Sequence, residues 1–290
     1  MNWLPFFFFD AVCHQLSKSA LAALEHLSGS WSTSASEHGG KRREFEFTCY
    51  MDEKGISYHL SSGLLVGDLN ADYDRIASVT WVSLRIGILK RRYVTMDALQ
   101  NDVLPIVASL VANCRWPYLN AHMDSIKQNR IFFNAFKNCD GFNEITVQEQ
   151  GQESRDFVAR QVELGNVQEL YLRTENSTTW PEPEKLAESL IIFVNSGRFH
   201  VLEAPGPLPN ASKLFELFLE RALAGELKLG AHILIDNVNL DQRLRIRRLH
   251  PEIRRDEIAA IAWRIPHSNR KITLRNRDGE LWMEVVESSS

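Results

Sequence analysis

One spacing recurs along this chain and limits its fold more than any other feature: an apolar residue, two of any kind, a second apolar residue, one of any kind, and a third. It occurs at Trp81, Leu84 and Ile86; Trp116, Leu119 and Ala121; Phe142, Ile145 and Val147; Val167, Leu170 and Leu172; and Ala224, Leu227 and Leu229. A segment with Ser196, Phe199 and Val201 fits in part, with serine in the first place. Counted by the middle residue from Leu84, successive intervals are 35, 26, 25, 29 and 28 residues. The two-residue step inside each frame predicts a short strand. Between the frames, 96–112, 126–137, 154–164, 184–195 and 211–224 carry apolar residues at helical spacing. Boundary chemistry supports these helices: Ser154 as an N-cap, and WPEPEKLAESLIIFV with prolines at its start and Gly197 at its end.

A strand and a helix repeated every 25 to 35 residues predict a solenoid. The frames resemble the units of leucine-rich repeats, and that resemblance implies stacked strand–helix units. The family's asparagine, three places past the frame, is replaced by Leu89 in the first unit and Glu175 in the fourth, so the units are divergent. The alternative is an open α/β sheet with helices on both faces. With the frame residues inward, strand alternation sends Thr146, Gln148, Tyr171, Arg173, His200 and Lys228 outward. In a stacked sheet such residues collect on the face solenoids use for recognition.

The flanks differ from the repeats. EFEFTCYM and ISYHL around DEKG predict a hairpin, residues 63–74 a loop, and GGKRR (39–43) a linker. IAWRI, KITLRN and LWMEVV predict a terminal sheet capping the last repeat, with RDG as a turn. The arginines of RLRIRRLHPEIRRDE (243–257) read as a solvated helix face, or as a grip on a phosphorylated or acidic partner.

The N-terminal stretch LPFFFFDAVCHQLSKSALAALEHLSGSW stands apart. No Lys or Arg precedes its four phenylalanines and Asp10 closes the run, which excludes a secretory signal. No window of about 20 apolar residues suits a membrane span. Pro5 suits a helix start, Phe9, Val12, Cys13 and Leu16 follow helical spacing, Ser17 or Ser19 caps a second helix, and Leu21, Leu24 and Leu27 continue it to a break at Ser28 and Gly29.

Leu4, Pro5, Val12, Leu16, Leu21, Leu24, Leu27, Ser28 and Trp31 stand in the register of an F-box. Residues 3–42 resemble that family, in particular the divergent F-box proteins of the nematode type. Two places depart from it: Phe6 to Phe9 replace acidic or aliphatic residues, and Ala20 replaces an acidic one. The resemblance implies that Leu4, Pro5, Val12, Leu16, Leu21, Leu24, Leu27 and Trp31 bind a Skp-type adaptor of a cullin ubiquitin ligase. About forty residues cannot build a self-sufficient core, so surplus apolar side chains such as Phe6 to Phe8 need a partner or the body of the protein.

The net charge of −4 argues against a general nucleic-acid binder. Cys13, Cys49, Cys114 and Cys139 lie far apart, without zinc or disulfide spacing, which fits a reducing compartment, the cytoplasm or the nucleus. No nucleotide-binding, hydrolase-nucleophile, zinc-protease or kinase motif occurs. DNVNLD (236–241) opens like a calcium loop, but Val238 and Leu240 replace its carboxylates. His14, His26, His122 and His200 have no paired spacing.

The sequence therefore predicts an α/β (α+β) chain with no catalytic, metal or cofactor site. A helical F-box-like motif spans 1–42, a hairpin and a divergent leucine-rich-repeat-like solenoid that binds an unidentified target spans 43–242, and a basic segment with a β cap spans 243–290. The alternatives are an interaction scaffold without a ubiquitin role and, more remotely, a hydrolase or transferase on an open α/β sheet.

Overall fold

The computed structural model describes residues 4–52, 55–83, 93–122, 126–148, 151–174, 182–204, 208–236, 260–277 and 280–288. Leu84, Ile86, Leu89, Glu175, the basic run at 243–257 and the 237–241 stretch lie outside the described residues. The protein is mixed α/β and divides into two units, Met1–Asn143 and Glu144–Ser290.

The first unit opens with three helices, α1 (Phe6–Gln15), α2 (Lys18–Glu25) and α3 (Ser30–Lys41). Ser17 caps α2, its hydroxyl accepting from the Ala20 amide at 3.2 Å. Gly29, at φ 74°, adopts the left-handed backbone that turns the chain into α3. The expected linker is absent: Gly39 and Gly40 lie in the last turn of α3, and the first strand starts two residues after that helix ends.

Five strands follow in the first unit: β1 (Arg43–Asp52), β2 (Gly55–Leu60), β3 (Asp74–Ser83), β4 (Tyr93–Val94) and β5 (Tyr118–His122), ordered β5-β3-β1-β2-β4. The β1–β2 hairpin is antiparallel, as the sequence predicts; β3 is parallel to both β1 and β5. Buried Asp74 ties β3 to β1. Its carboxylate accepts from Arg43 Nε and Nη2, both at 2.8 Å, and from the Asn70 amide at 2.7 Å. Between β4 and β5, α4 (Met96–Ala98) passes through a π turn at Leu99–Val103 into α5 (Leu104–Ala112), whose first turn holds Pro105. After β5 comes α6 (Ile126–Phe136). Rings of Trp81 and Phe132 meet at 4.6 Å, Phe132 and Phe136 at 4.9 Å, and Phe136 and Phe142 at 5.8 Å, forming the aromatic centre of this core.

The second unit alternates strictly: β6 (Glu144–Gln148), α7 (Gln152–Leu164), β7 (Glu169–Arg173), α8 (Pro183–Asn195), β8 (Val201–Ala204), α9 (Ala211–Leu223) and β9 (His232–Ile235). The four strands are parallel neighbours in chain order. Each crossover holds one helix, and α8 packs on both α7 and α9. With right-handed crossovers this puts all three helices on one face of the sheet. Rings of Phe193, Phe199 and Phe218 interlock edge to face at 5.2 and 6.0 Å between sheet and helices. Arg221 of α9 donates to the Val194 carbonyl and, at 2.8 Å, to that of Ser196, closing the C-terminus of α8. The strands β10 (Ala260–Arg264), β11 (Arg270–Arg277) and β12 (Glu280–Glu287) form an antiparallel meander, and β12 pairs with β9. The C-terminal strands thus extend the sheet edge to edge.

The helix ranges predicted from sequence stand within two residues of those observed, although Ser154 lies inside α7 rather than at its cap, donating to the Gly151 carbonyl at 2.9 Å. Two strand frames slip. In β3 the inward residues are Ile76, Val79 and Trp81, and the other two places of the first frame, Leu84 and Ile86, lie outside the described residues. At β8 the buried series is Phe199, Leu202 and Ala204, with Leu202 in register with Leu170. The frame at Ala224, Leu227 and Leu229 is a turn rather than a strand; Leu229 is exposed, and β9 follows Gly230, which has φ 81°.

Candidate protein-docking surfaces

The three N-terminal helices close around Cys13, Leu21 and Ala35, with Leu16, Leu24 and Trp31 packed against them. Phe9 is buried and meets the Trp31 ring edge to face at 4.8 Å. The eight residues named from the F-box register therefore divide into two sets. Leu21 is sealed in the core, while Leu16, Leu24, Trp31 and Val12 are half-buried supports; Leu4, Pro5 and Leu27 are exposed. Exposure reaches 42% at Leu4, 51% at Phe6, 73% at Phe7, 39% at Phe8 and 50% at Leu27. Large apolar side chains left in water around one short helical module are an unspent contact area. Covering one such side chain fully is worth about 1.5–3 kcal/mol.

Polar contacts fix this module to the strands of its own unit. Arg42 donates to the carbonyls of Cys13 and His14, each at 3.0 Å, and to that of Leu16. Arg75, at the start of β3, donates to the His14 carbonyl at 3.0 Å and lies 3.2 Å from His14 Nδ1. Two guanidinium groups thus satisfy the open carbonyls at the C-terminus of α1, where the helix dipole favours positive charge. Burial, then the neighbouring Arg42, lowers Arg75 to about 10. Burial and the Arg75 charge also hold His14 below its ordinary value, favouring the neutral ring. On the adjoining side, His38 Nε2 meets Asp10 Oδ1 at 2.8 Å.

A second surface lies on the face of the second unit's sheet opposite the helices. Strand alternation puts Glu144, Thr146 and Gln148 of β6 on this face, in register with Glu169, Tyr171 and Arg173 of β7. Glu203 of β8 stands opposite Tyr171, and His232 of β9 opposite Val201. The Tyr171 hydroxyl donates to Glu169 at 2.9 Å, and His200 Nδ1 lies 3.1 Å from the other oxygen of that carboxylate. Arg173 donates to Glu203 at 2.8 Å; His232 approaches Glu203 at 3.5 Å and stacks on the Trp282 ring at 4.9 Å. Burial first, then the Glu169 charge, holds the Glu144 carboxyl above the usual range. For His232, burial opposes the charged ring, but Glu203 and the Gly230 carbonyl outweigh it and raise the pKa. Glu203 is lowered, by its bond to His232 before all else.

Of the outward residues named from sequence, Thr146, Gln148, Tyr171 and Arg173 come together on this face. His200 sits just ahead of β8 and joins them through Glu169. Lys228 does not: it lies exposed in the turn before β9, because the strand begins four residues later. Glu144, Glu169, Glu203 and His232 were not singled out from sequence. The paired tetrads EITV (144–147) and ELYL (169–172) were the available signal, each placing glutamate on the face that the frame residues avoid.

Burial raises the thiol of Cys139 to about 11 and keeps it protonated at neutral pH. Among the described residues, no cluster of three His, Cys, Asp or Glu could hold a metal ion, and no helix is long and apolar enough to cross a membrane. Compared with known proteins, the chain matches no family model and no curated sequence.

Proposed function

We propose that this chain is the non-catalytic recognition subunit of a Skp–cullin–F-box type ubiquitin ligase. In this reading the N-terminal helices dock a Skp-type adaptor, and the repeat-like strands and helices, a divergent leucine-rich-repeat arrangement, capture a target protein. Function then arises from proximity: a captured substrate beside a ubiquitin-transferring enzyme reacts at a raised effective concentration. The observation that carries the reading is the outward display of Phe6, Phe7 and Phe8 on α1, with Leu4 just before it and Leu27 just after α2, around a helical module whose own core is already filled by Cys13, Leu21 and Ala35. Leu4 and Leu27 among them, together with exposed Pro5, belong to the F-box register, and the polar clamp of Arg42 and Arg75 holds the module at a fixed place on the first unit.

A second reading, an interaction scaffold without a ubiquitin role, draws on that same clamp, since helices that merely cap a sheet need such an anchor. Affinity purification separates the two. Recovery of the adaptor with the intact chain, and its loss on Leu4→Ala with Pro5→Ala, supports the ligase reading. A chain that recovers no adaptor, or a double variant that binds it unchanged, contradicts it.

A further inference from the structure

Glu144 and Glu169 stand directly opposite each other on neighbouring parallel strands. Like charges in that relationship destabilise a sheet. Glu169 is partly compensated by Tyr171 and His200. The guanidinium of Arg173, in register with Gln148, is held by Glu203. The Glu144 side chain makes no hydrogen bond or ion pair among the described residues.

A second, independent observation lies on the same side of β6. Gln148 is 3% exposed, and its Oε1 accepts no hydrogen bond. A buried amide oxygen without a donor costs about 1–3 kcal/mol. Alternation puts it on the face that carries Glu144, four residues or roughly 13 Å away along the strand. Two acceptor groups on β6, the Glu144 carboxylate and the Gln148 amide oxygen, thus lack a donor among the described residues, and the first stands beside a second carboxylate, Glu169, that is only partly compensated. A lysine or arginine side chain supplies both. Nucleic acid is repelled by this charge, and the cluster lacks the third ligand that a metal ion needs.

We propose that the helix-free face of the second unit's sheet receives an extended, cationic polypeptide segment, with lysine or arginine groups held by Glu144 and Glu169 and donating to Gln148. The inference rests on the capture reading above and names the chemistry of the captured segment.

Fluorescence anisotropy with the full chain and a labelled nine-residue peptide of alternating lysine and serine tests it. Wild type binds this peptide, more weakly as salt rises, and prefers it to a matched glutamate–serine peptide. Glu144→Gln with Glu169→Gln weakens binding by about tenfold. Removing the same charge from exposed helix positions, by Glu184→Gln with Glu188→Gln, leaves it unchanged. The sheet double variant relieves a repulsion, so its melting temperature does not fall and lost binding is not lost folding. Equal effects of both carboxylate pairs, no preference over the acidic peptide, or tighter binding of spermine than of the peptide would overturn the proposal. Leu4→Ala with Pro5→Ala binds the peptide like wild type. Failure of peptide binding with adaptor binding intact therefore sinks this inference alone, and the converse sinks the ligase reading alone.

Discussion

Arg75 donates to the backbone carbonyl of His14 at 3.0 Å while its guanidinium lies 3.2 Å from the His14 ring. One residue of a strand thereby fixes the end of a helix that closes sixty residues earlier in the chain. The contact requires a neutral imidazole, because a protonated ring would lose its acceptor and face two guanidinium groups. Arg75, Arg42 and His38 oppose the charge, and Asp72 favours it.

The consequence is an acid-sensitive anchorage. His14 has a folded pKa below its unfolded value, so its contribution is complete above the unfolded value of about 6.5 and is lost as pH falls from there through the folded value. Amide protection factors across Phe6–Gln15, corrected for the slower intrinsic exchange at lower pH, should fall between pH 7 and pH 5.5. Arg75→Met should lower them at both values and flatten the pH response. Unchanged protection of α1 in that variant would show that the clamp does not hold the helix.

His232 carries the opposite sign. Its folded pKa lies above the unfolded value, so its contribution is complete below about pH 6.5 and disappears as pH rises through the folded value. Glu203 is lowered, so its own contribution is present above its unfolded pKa and lost only as pH falls through the folded one. The pair is therefore strongest between those limits. Thermal melts from pH 5.5 to 8.5 should show stability declining on the alkaline side, and His232→Asn should abolish that decline. An identical slope in both proteins contradicts the assignment.

Phe199 links the rings of Phe193 and Phe218. Truncating it removes contacts with two helices at once. Phe199→Ala should destabilise the fold by about 3–5 kcal/mol, read from denaturant unfolding. A loss below about 1 kcal/mol would mean that the site collapses around the cavity.

The helices were legible because their boundaries have local causes. Ser17 accepts from a backbone amide at the start of α2, Pro183 opens α8, and Gly165 closes α7 with φ 75°. The strands were less legible because an apolar frame does not fix its own register. At Phe199 the chain offers both Val201 and Leu202, each buried, and only pairing with Leu170 decides between them. The third apolar place of the last frame, Leu229, proved to be a surface residue beside a left-handed glycine, while HILI downstream formed the strand. On the N-terminal helices the sequence identified the apolar positions but could not separate supports such as Leu21 from surface groups such as Leu27. That division depends on how three helices pack. The opposition of Glu144 and Glu169 is a property of strand register and was invisible for the same reason.

The proposed docking of a Skp-type adaptor on the N-terminal helices is tested by a calorimetric titration of the full chain with that adaptor. Wild type should bind with one-to-one stoichiometry. Leu4→Ala with Pro5→Ala, both at exposed sites, should weaken binding by at least about tenfold while circular dichroism and melting temperature stay unchanged. A wild-type chain that releases no heat and forms no complex, or a double variant that binds as tightly as wild type, would show that these helices are not an adaptor-binding surface.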